Sequence, residues 1–397
     1  MPRSGRIVRI LEITETTDKA MSVTIKEVKS RRDLLKFIDF PEKLYRKNPY
    51  YTPPLVFDQI DTLDPKRNPA SSFSESALYL AYKDGGLVGR VAAIVNKKAN
   101  EQWNHAQVRF GWYDFIDDKE VSRALMDKVE EFGRERGMKE VVGPLGFTDF
   151  DPEGMLVEGF EYDNNMPMIY NAPYYQEHVE AMGFTKDADW LEARLIVPEE
   201  MPERIVRMAK VVEERSKVHA VPLTRRKIKQ GKYGRKIFNL INECYKVLYN
   251  YTVMPEDLAD KYLDFYLSVL DLRYVAMIEN EKGELIAFGI TMPSLTGILK
   301  KCRGHLFPFG WAMLLWRLFV KHSEGLELLL VGIRPDYRNC GINVLLFNEL
   351  LKTYTKLGLK WAETNAMLEN NFNIQEMFAD YEHTNPRRRR SYIKNLK

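Results

Sequence analysis

Apolar and polar positions along the chain follow one plan twice. Around Leu78–Val95, ALYLAYKDGGLVGRVAAIV reads as two apolar strands joined at Asp84-Gly85-Gly86, a hairpin signal. Around Tyr274–Met292, YVAMIENEKGELIAFGITM reads the same way with its turn at Lys282-Gly283, so that Leu87 and Leu285 correspond. A third apolar strand comes next, VRFGW (Val108–Trp112) in the first half and LLVGI (Leu329–Ile333) in the second. Each runs on into a helix that ends at a glycine, Gly137 or Gly358, as a left-handed C-terminal cap requires. Gly111 and Gly332, like Gly137 and Gly358, stand 221 positions apart. The second half therefore carries about 23 additional residues between its hairpin and third strand, where the apolar run Leu306–Val320 falls. After each helix the pattern predicts a further strand (VVGPLGF, 141–147; WAETNAML, 361–368), a second helix (Tyr174–Phe184; Asn373–Tyr381) and a closing strand. The expectation is an α+β protein in which a mostly antiparallel central sheet flanked by helices occurs twice in tandem.

A length of 397 residues agrees with two domains. The boundaries expected are a flexible extension over 1–20, a first domain over 21–198 and a second over 199–397. The extension lacks the apolar core of a secretory signal. A net charge of +3 is too mild for a nucleic-acid binder. The basic cluster between Arg225 and Lys236 reads either as a solvated linker or as a phosphate contact. Cys244, Cys302 and Cys340 lie far apart, with neither metal-ligand spacing nor a disulfide framework, as in a reducing cytoplasm. The run Leu306–Val320 contains Pro308 and Arg317 and is too short to cross a bilayer, so it reads as a buried or interfacial amphipathic helix.

The chemistry concentrates after the second copy's third strand. There an apolar strand leads through Arg334-Pro335-Asp336-Tyr337 into Arg338-Asn339-Cys340-Gly341-Ile342-Asn343, and then into a helix with apolar positions Leu346, Leu350, Tyr354 and Leu357. A strand, loop and helix of this kind aim free backbone N–H groups and the positive helix end at one point, which suits a pyrophosphate. Gly341 lets the backbone approach closely, and Arg338 supplies a charge-assisted contact.

The arrangement resembles the acyl-CoA loop of the GNAT (GCN5-related N-acetyltransferase) superfamily, Arg/Gln-x-x-Gly-x-Gly/Ala, with Arg338 and Gly341 in place and Asn343 at the final small position. The resemblance implies acetyl-CoA or another acyl-CoA as co-substrate, held by Arg338, Asn339, Cys340, Gly341, Ile342 and Asn343. Main-chain groups of Val331 and Ile333 would pair with the pantetheine arm. One branch of the family places a general base eleven residues before the loop, and Glu327 occupies that spacing; the other reading of Glu327 is a solvated residue at a strand end. The family's second motif, Asn-x-x-Ala-x-x-x-Tyr, maps onto Asn371 as a CoA contact. Phe378 stands at the proton-donating tyrosine, which leaves Tyr381 one turn later as a stand-in acid.

In the first copy the loop becomes Asp117-Asp118-Lys119-Glu120 and Glu327 becomes Ala106, so that half keeps the fold and loses the phosphate cradle. Asp117 or Asp118 reads there as a helix N-cap. Its long loop 143–175, with Asp149, Asp151, Glu153, Glu158, Glu161 and Asp163, reads as a receptor for a cationic substrate, a lid on the second site, or an ordered packing loop. The alternate arginines of Arg387–Arg390 read as an exposed edge strand. The function expected is N-acyl transfer from acyl-CoA, acetyl in the first instance, to a small-molecule or peptide amine. Two alternatives stand beside it: a GNAT-fold binding protein without catalysis, and an aminoacyl-type transferase like the tandem enzymes of cell-wall assembly. Neither the acceptor nor the oligomeric state is legible.

Overall fold

A computed structural model describes residues 22–396, apart from 167, 231, 254–269, 321–322 and 378–380. The extension 1–20 and Phe378 lie outside the described residues. In the first half the strands are β1 (Thr24–Glu27), β2 (Ser74–Lys83), β3 (Gly86–Asn96), β4 (Gln107–Phe115), β5 (Glu140–Gly143), β6 (Met155–Glu158) and β7 (Thr185–Ile196). In the second they are β8 (Val218–Ala220), β9 (Val275–Asn280), β10 (Leu285–Pro293), β11 (Gly325–Ile333), β12 (Trp361–Thr364), β13 (Met367–Leu368) and β14 (His383–Asn395).

Both hairpins form where the pattern predicts. Asp84 and Gly85 take positive φ in the β2–β3 turn and Gly283 does so in the β9–β10 turn, which makes glycine the fitting residue there. The helix Lys119–Glu135 starts at Asp118, whose carboxylate accepts from the Glu120 N–H at 2.9 Å. Its counterpart Ile342–Lys356 buries Leu345, Leu346, Leu350 and Tyr354 against the second half's sheet. The predicted strand 141–147 stops at Gly143, and the predicted helix 373–381 is described only over Phe372–Glu376.

All strands among the described residues belong to one sheet, ordered β1-β2-β3-β4-β5-β14-β7-β12-β11-β10-β9-β8, with β6 on β14 and β13 on β7. In each half a parallel pair follows the antiparallel meander: β4 with β5, and β11 with β12. The closing strands are exchanged. β14, the last strand of the chain, pairs with β5 of the first half, while β7 pairs with β12 of the second. β7 and β14 then run antiparallel to each other and fuse the two sheets into one.

The run Arg387–Arg390 therefore does not form an edge. It sits at the centre of the sheet, and Arg387 and Arg389 are 1% and 0% exposed. The expectation failed because it ignored partners on β7 and β12, which neutralise what would otherwise be prohibitively costly buried charge.

Candidate active site at the divergence of β11 and β12

β11 pairs with β12 only as far as Leu328 and Thr364. The break has a local cause: β11 carries an extra residue against β10 between Ile290 and Thr291, a bulge that turns the strand. Beyond it, the β12 side of β11 faces side chains instead of a strand. Asn365 Nδ2 donates to Leu329 O at 2.9 Å, Tyr245 Oη to Val331 O at 2.8 Å and Cys244 Sγ to Ile333 O at 3.2 Å. Val331 and Ile333 thus stand along the opened edge, with their carbonyl groups already met by the helix Tyr233–Tyr245. Burial pushes the Cys244 thiol up to about 11, opposed by the neighbouring Arg338 guanidinium. Asn365 keeps its buried Oδ1 without a partner. Helical and strand periodicity gave no reason to single out Cys244, Tyr245 or Asn365.

The loop at the end of β11 is shaped as an anion cradle. Asn339 and Gly341 adopt φ of 61° and 80°, and Gly341 forms the N-cap of Ile342–Lys356, where it has no side chain to cap the first turn. Asn339 and Cys340 are exposed, Arg338 and Asn343 are half-buried, and Ile342 is locked into the core. A Cβ on Gly341 would approach Val212 Cγ2 to 2.8 Å, so a helix from the linker, Glu203–Ser216, backs the loop. These donors and the open helix end fit a diphosphate.

The first half answers each feature with its opposite. Its helix start is capped by Asp118, itself bound to Lys83 Nζ at 2.7 Å. The edge of β4 is filled by the chain itself, with the Leu145 N–H on Phe110 O at 2.9 Å and Phe147 packed on Trp112.

Glu327 is the third residue of β11, opposite Glu363 of β12, and is fully buried. Although near a strand end, it is not solvated. Ser294 Oγ donates to its Oε1 at 3.1 Å, and its Oε2 has no partner. Desolvation drives its pKa from 4.5 to about 8; the Ser294 hydrogen bond and Arg387 oppose the rise, and Glu363 and Glu192 add to it. The surrounding charges form a connected set. Arg387 binds Glu192 Oε2 at 2.7 Å and Glu363 Oε2 at 3.0 Å, Arg389 binds Glu192, and Arg194 Nε reaches Glu363 at 2.6 Å. Burial would raise Glu192, but Arg389 and Arg387 outweigh it and the net shift is downward.

The roof over this face is the long loop of the first half. Asp163 O accepts from Arg387 NH1 at 2.5 Å, Asn164 Oδ1 from Arg389 NH2 at 2.9 Å, and Ile169 O from Arg389. Asp163 also holds Lys300 Nζ at 2.5 Å, tying the second half's insertion to the roof. The more N-terminal acids of that loop gather elsewhere. Asp149 receives the Thr252 N–H at 2.8 Å, and desolvation raises Asp149 to about 6 and Asp151 to about 7.

Not every expected residue joins Glu327. Along β11 side chains alternate, so Leu326 and Leu328 point to the opposite face. There Leu328 and Tyr381 help line a small apolar cavity with Phe347 and Leu351. Tyr381 packs on Phe347, with ring centroids 5.9 Å apart, on the far side of the sheet from Glu327. Asn371 begins the short helix Phe372–Glu376, and its N–H bonds Leu368 O at 3.0 Å.

A bulged strand paired in parallel with its neighbour and running on into a helix occurs in both halves, as in the GNAT fold, and only the second half starts that helix at a glycine. No protein-family model matches the sequence. Among solved structures it superposes on a tandem GNAT protein of the clavulanic acid biosynthesis pathway with a TM-score of 0.54 at 11% identity, covering 95% of this chain and 99% of that one. A GCN5-related N-acetyltransferase from Sphaerobacter thermophilus gives a TM-score of 0.51 at 12% identity, covering 94% and 96%. These likenesses establish a tandem GNAT fold. By sequence the chain is 28% identical over 328 residues to the bacterial ceramide synthase of Caulobacter vibrioides, spanning 82% of this chain and 83% of that protein. It is 27% identical over 361 residues to protein YghO of Escherichia coli K12, spanning 88% and 89%. No helix among the described residues is long and apolar enough to cross a membrane.

Proposed function

We propose that the chain is an acyl-CoA-dependent N-acyltransferase, acting in the cytoplasm, whose reaction runs at the divergence of β11 and β12. Residues 199–397 are the acyl-CoA-binding copy, and residues 21–198 a copy that has closed its own slot and serves as roof. The observation that carries the reading is Glu327, a buried carboxyl group with one unpartnered oxygen and a pKa raised to about 8.

An amine acceptor is an ammonium ion at neutral pH and must lose a proton before it can attack. Glu327 Oε2 takes that proton, and its raised pKa brings it closer to that of an amine. Acyl-CoA, when bound, supplies the activated acyl thioester: the new C–N bond forms as the C–S bond breaks, and the thiolate leaves to be protonated. Arg338 and the N–H groups at Gly341–Asn343 would hold the diphosphate. For pantetheine to line β11, Tyr245 and Cys244 have to release Val331 O and Ile333 O. Asn371 and Tyr381 would contribute from the β12–β13 side, Tyr381 from the opposite face.

The relative named a ceramide synthase narrows the acceptor. A ceramide is the amide of a fatty acid with a long-chain amino alcohol, so its synthesis is N-acylation of a lipid amine. We take that class of acceptor, with a long acyl donor, as the first to test, ahead of acetyl transfer.

The test is calorimetric titration with acetyl-CoA and with palmitoyl-CoA, joined to mass detection of the amide formed with a long-chain amino alcohol. Wild type should bind and turn over. Arg338→Ala should weaken binding about tenfold, as expected for the loss of a charge-assisted contact. Gly341→Glu should abolish it. Absence of heat from wild type at millimolar acyl-CoA would overturn the reading and favour a binding protein that keeps only the fold.

A further inference from the structure

The insertion of the second half has no counterpart in the first, and one of its faces points outward. Phe307 and Phe309 are 84% and 74% exposed, the highest values among large apolar residues described, and Val320 shares the next value, 67%, with Val247 and Phe372 elsewhere. On the helix Gly310–Phe319, Trp311 and Leu315, one turn apart, and Trp316 beside Leu315 are each close to half exposed. Phe57 is also exposed, and the N–H of its neighbour Val56 bonds Gly304 O at 3.0 Å, so the apolar surface extends onto the first half.

This face is held firmly from behind. Lys300 Nζ binds Asp163 and Pro49 O, Arg303 reaches Glu42 at 3.5 Å and His305 lies 3.8 Å from Asp39. Along its own sequence the insertion's charge is one-sided; Lys300 and Arg303 turn to acids of the first half, and Lys301 stays exposed. No Asp or Glu occurs between Glu284 and Glu324, a stretch that contains Lys300, Lys301, Arg303, Arg317 and Lys321. Phenylalanine and tryptophan beside lysine and arginine, on a helix too short to cross a bilayer, match the chemistry of the lipid–water interface.

We propose that residues 300–320 dock the protein on the surface of an anionic lipid bilayer, with the aromatic side chains in the headgroup region and the exposed Lys301 against lipid phosphate. The insertion leaves the sheet at the end of β10, where Ser294 bonds Glu327. A docked insertion therefore places the membrane next to the strand end that carries the carboxylate. The docking itself does not depend on the acyl-transfer reading.

The experiment is co-sedimentation of the full chain with vesicles of phosphatidylcholine alone and of phosphatidylcholine with phosphatidylglycerol, with tryptophan emission recorded alongside. The protein should sediment with the anionic vesicles and its emission should shift to shorter wavelength. Phe307→Ser with Phe309→Ser should lower the partition coefficient about tenfold, since two large apolar groups no longer leave water. Both side chains already stand in solvent, so the variant should fold, which circular dichroism checks. Lys301→Glu, also exposed, should reduce the preference for anionic vesicles. Failure to sediment with either vesicle, or equal sedimentation of the double variant and wild type, would overturn the proposal. So would a wild-type dimer in solution that the double variant abolishes without any vesicle binding, which would give the face to a second copy.

Discussion

Replacing Glu327 by glutamine should make the protein more stable at alkaline pH while stopping its chemistry. Folding moves this carboxyl from water, where its pKa is 4.5, to a buried position where it is about 8. Between those values the folded state holds a proton that the unfolded state has released, so stability falls as pH rises through the interval and levels off above about 8. At about 1.4 kcal/mol per pH unit, the full span is on the order of 3–5 kcal/mol. Glutamine does not titrate. Its carbonyl can accept from Ser294 as Oε1 does, and its amide would face Glu363, a favourable contact in place of a repulsive one. Urea unfolding of wild type and Glu327→Gln from pH 5 to 9 measures this directly. The two should nearly coincide at pH 5 and diverge steadily, with the variant more stable by several kcal/mol at pH 9. Parallel curves would show that Glu327 ionises normally in the folded protein, and the assignment of a buried base would fall. Activity should move the opposite way: the wild-type rate should climb to a plateau near pH 8, and the variant should lose that dependence with most of its rate.

Other consequences follow from named contacts. Arg389→Met should cost about 3–5 kcal/mol in urea unfolding because it leaves Glu192 without one of its two buried partners, and adding Glu192→Gln should return part of that loss. Tyr245→Phe should lower stability by about 1 kcal/mol and tighten acyl-CoA binding up to about fivefold by calorimetry, since its hydroxyl no longer holds Val331 O; weaker binding would mean the hydroxyl contacts the ligand. Scanning calorimetry should give one transition for the whole chain, because β14 and β7 stitch the halves together; two separate transitions would contradict the exchanged sheet.

Much of the architecture could be read from the repeat, because period-two apolar strands and glycine-ended helices are local signals. The place of Arg338–Asn343 between a strand and a helix, and of Glu327 on that strand, was legible from the local pattern, while the roles given to them come from the family resemblance. The exchange of β7 and β14 was not, since each closing strand satisfies the same local pattern whichever half it completes. One signal was present and unused: Glu192 and Arg194 alternate on β7 just as Arg387 and Arg389 do on β14, and complementary alternation on two strands marks them as partners. Read alone, the arginines pointed to solvent because burying one charge is prohibitive; Glu192 lies 195 positions from Arg387 and 197 from Arg389. Tyr245 and Cys244 escaped notice because a helix of ordinary amphipathic spacing gives no hint that its end will overhang a strand edge. The apolar run 306–320 was visible as such, but only its three-dimensional anchoring decided which face is left outward.

The exchanged strands also set a timetable for biosynthesis. A ribosome releases β5 and β7 long before it makes β14, roughly 10–40 s earlier at ordinary rates of elongation. During that interval the first half has two strand edges waiting for a segment not yet synthesised, and each is a template for pairing with a neighbouring nascent chain. Folding of the N-terminal half is thus gated by the last residues to emerge, and a chaperone that shields those edges would determine how much of the newly made chain reaches its native form.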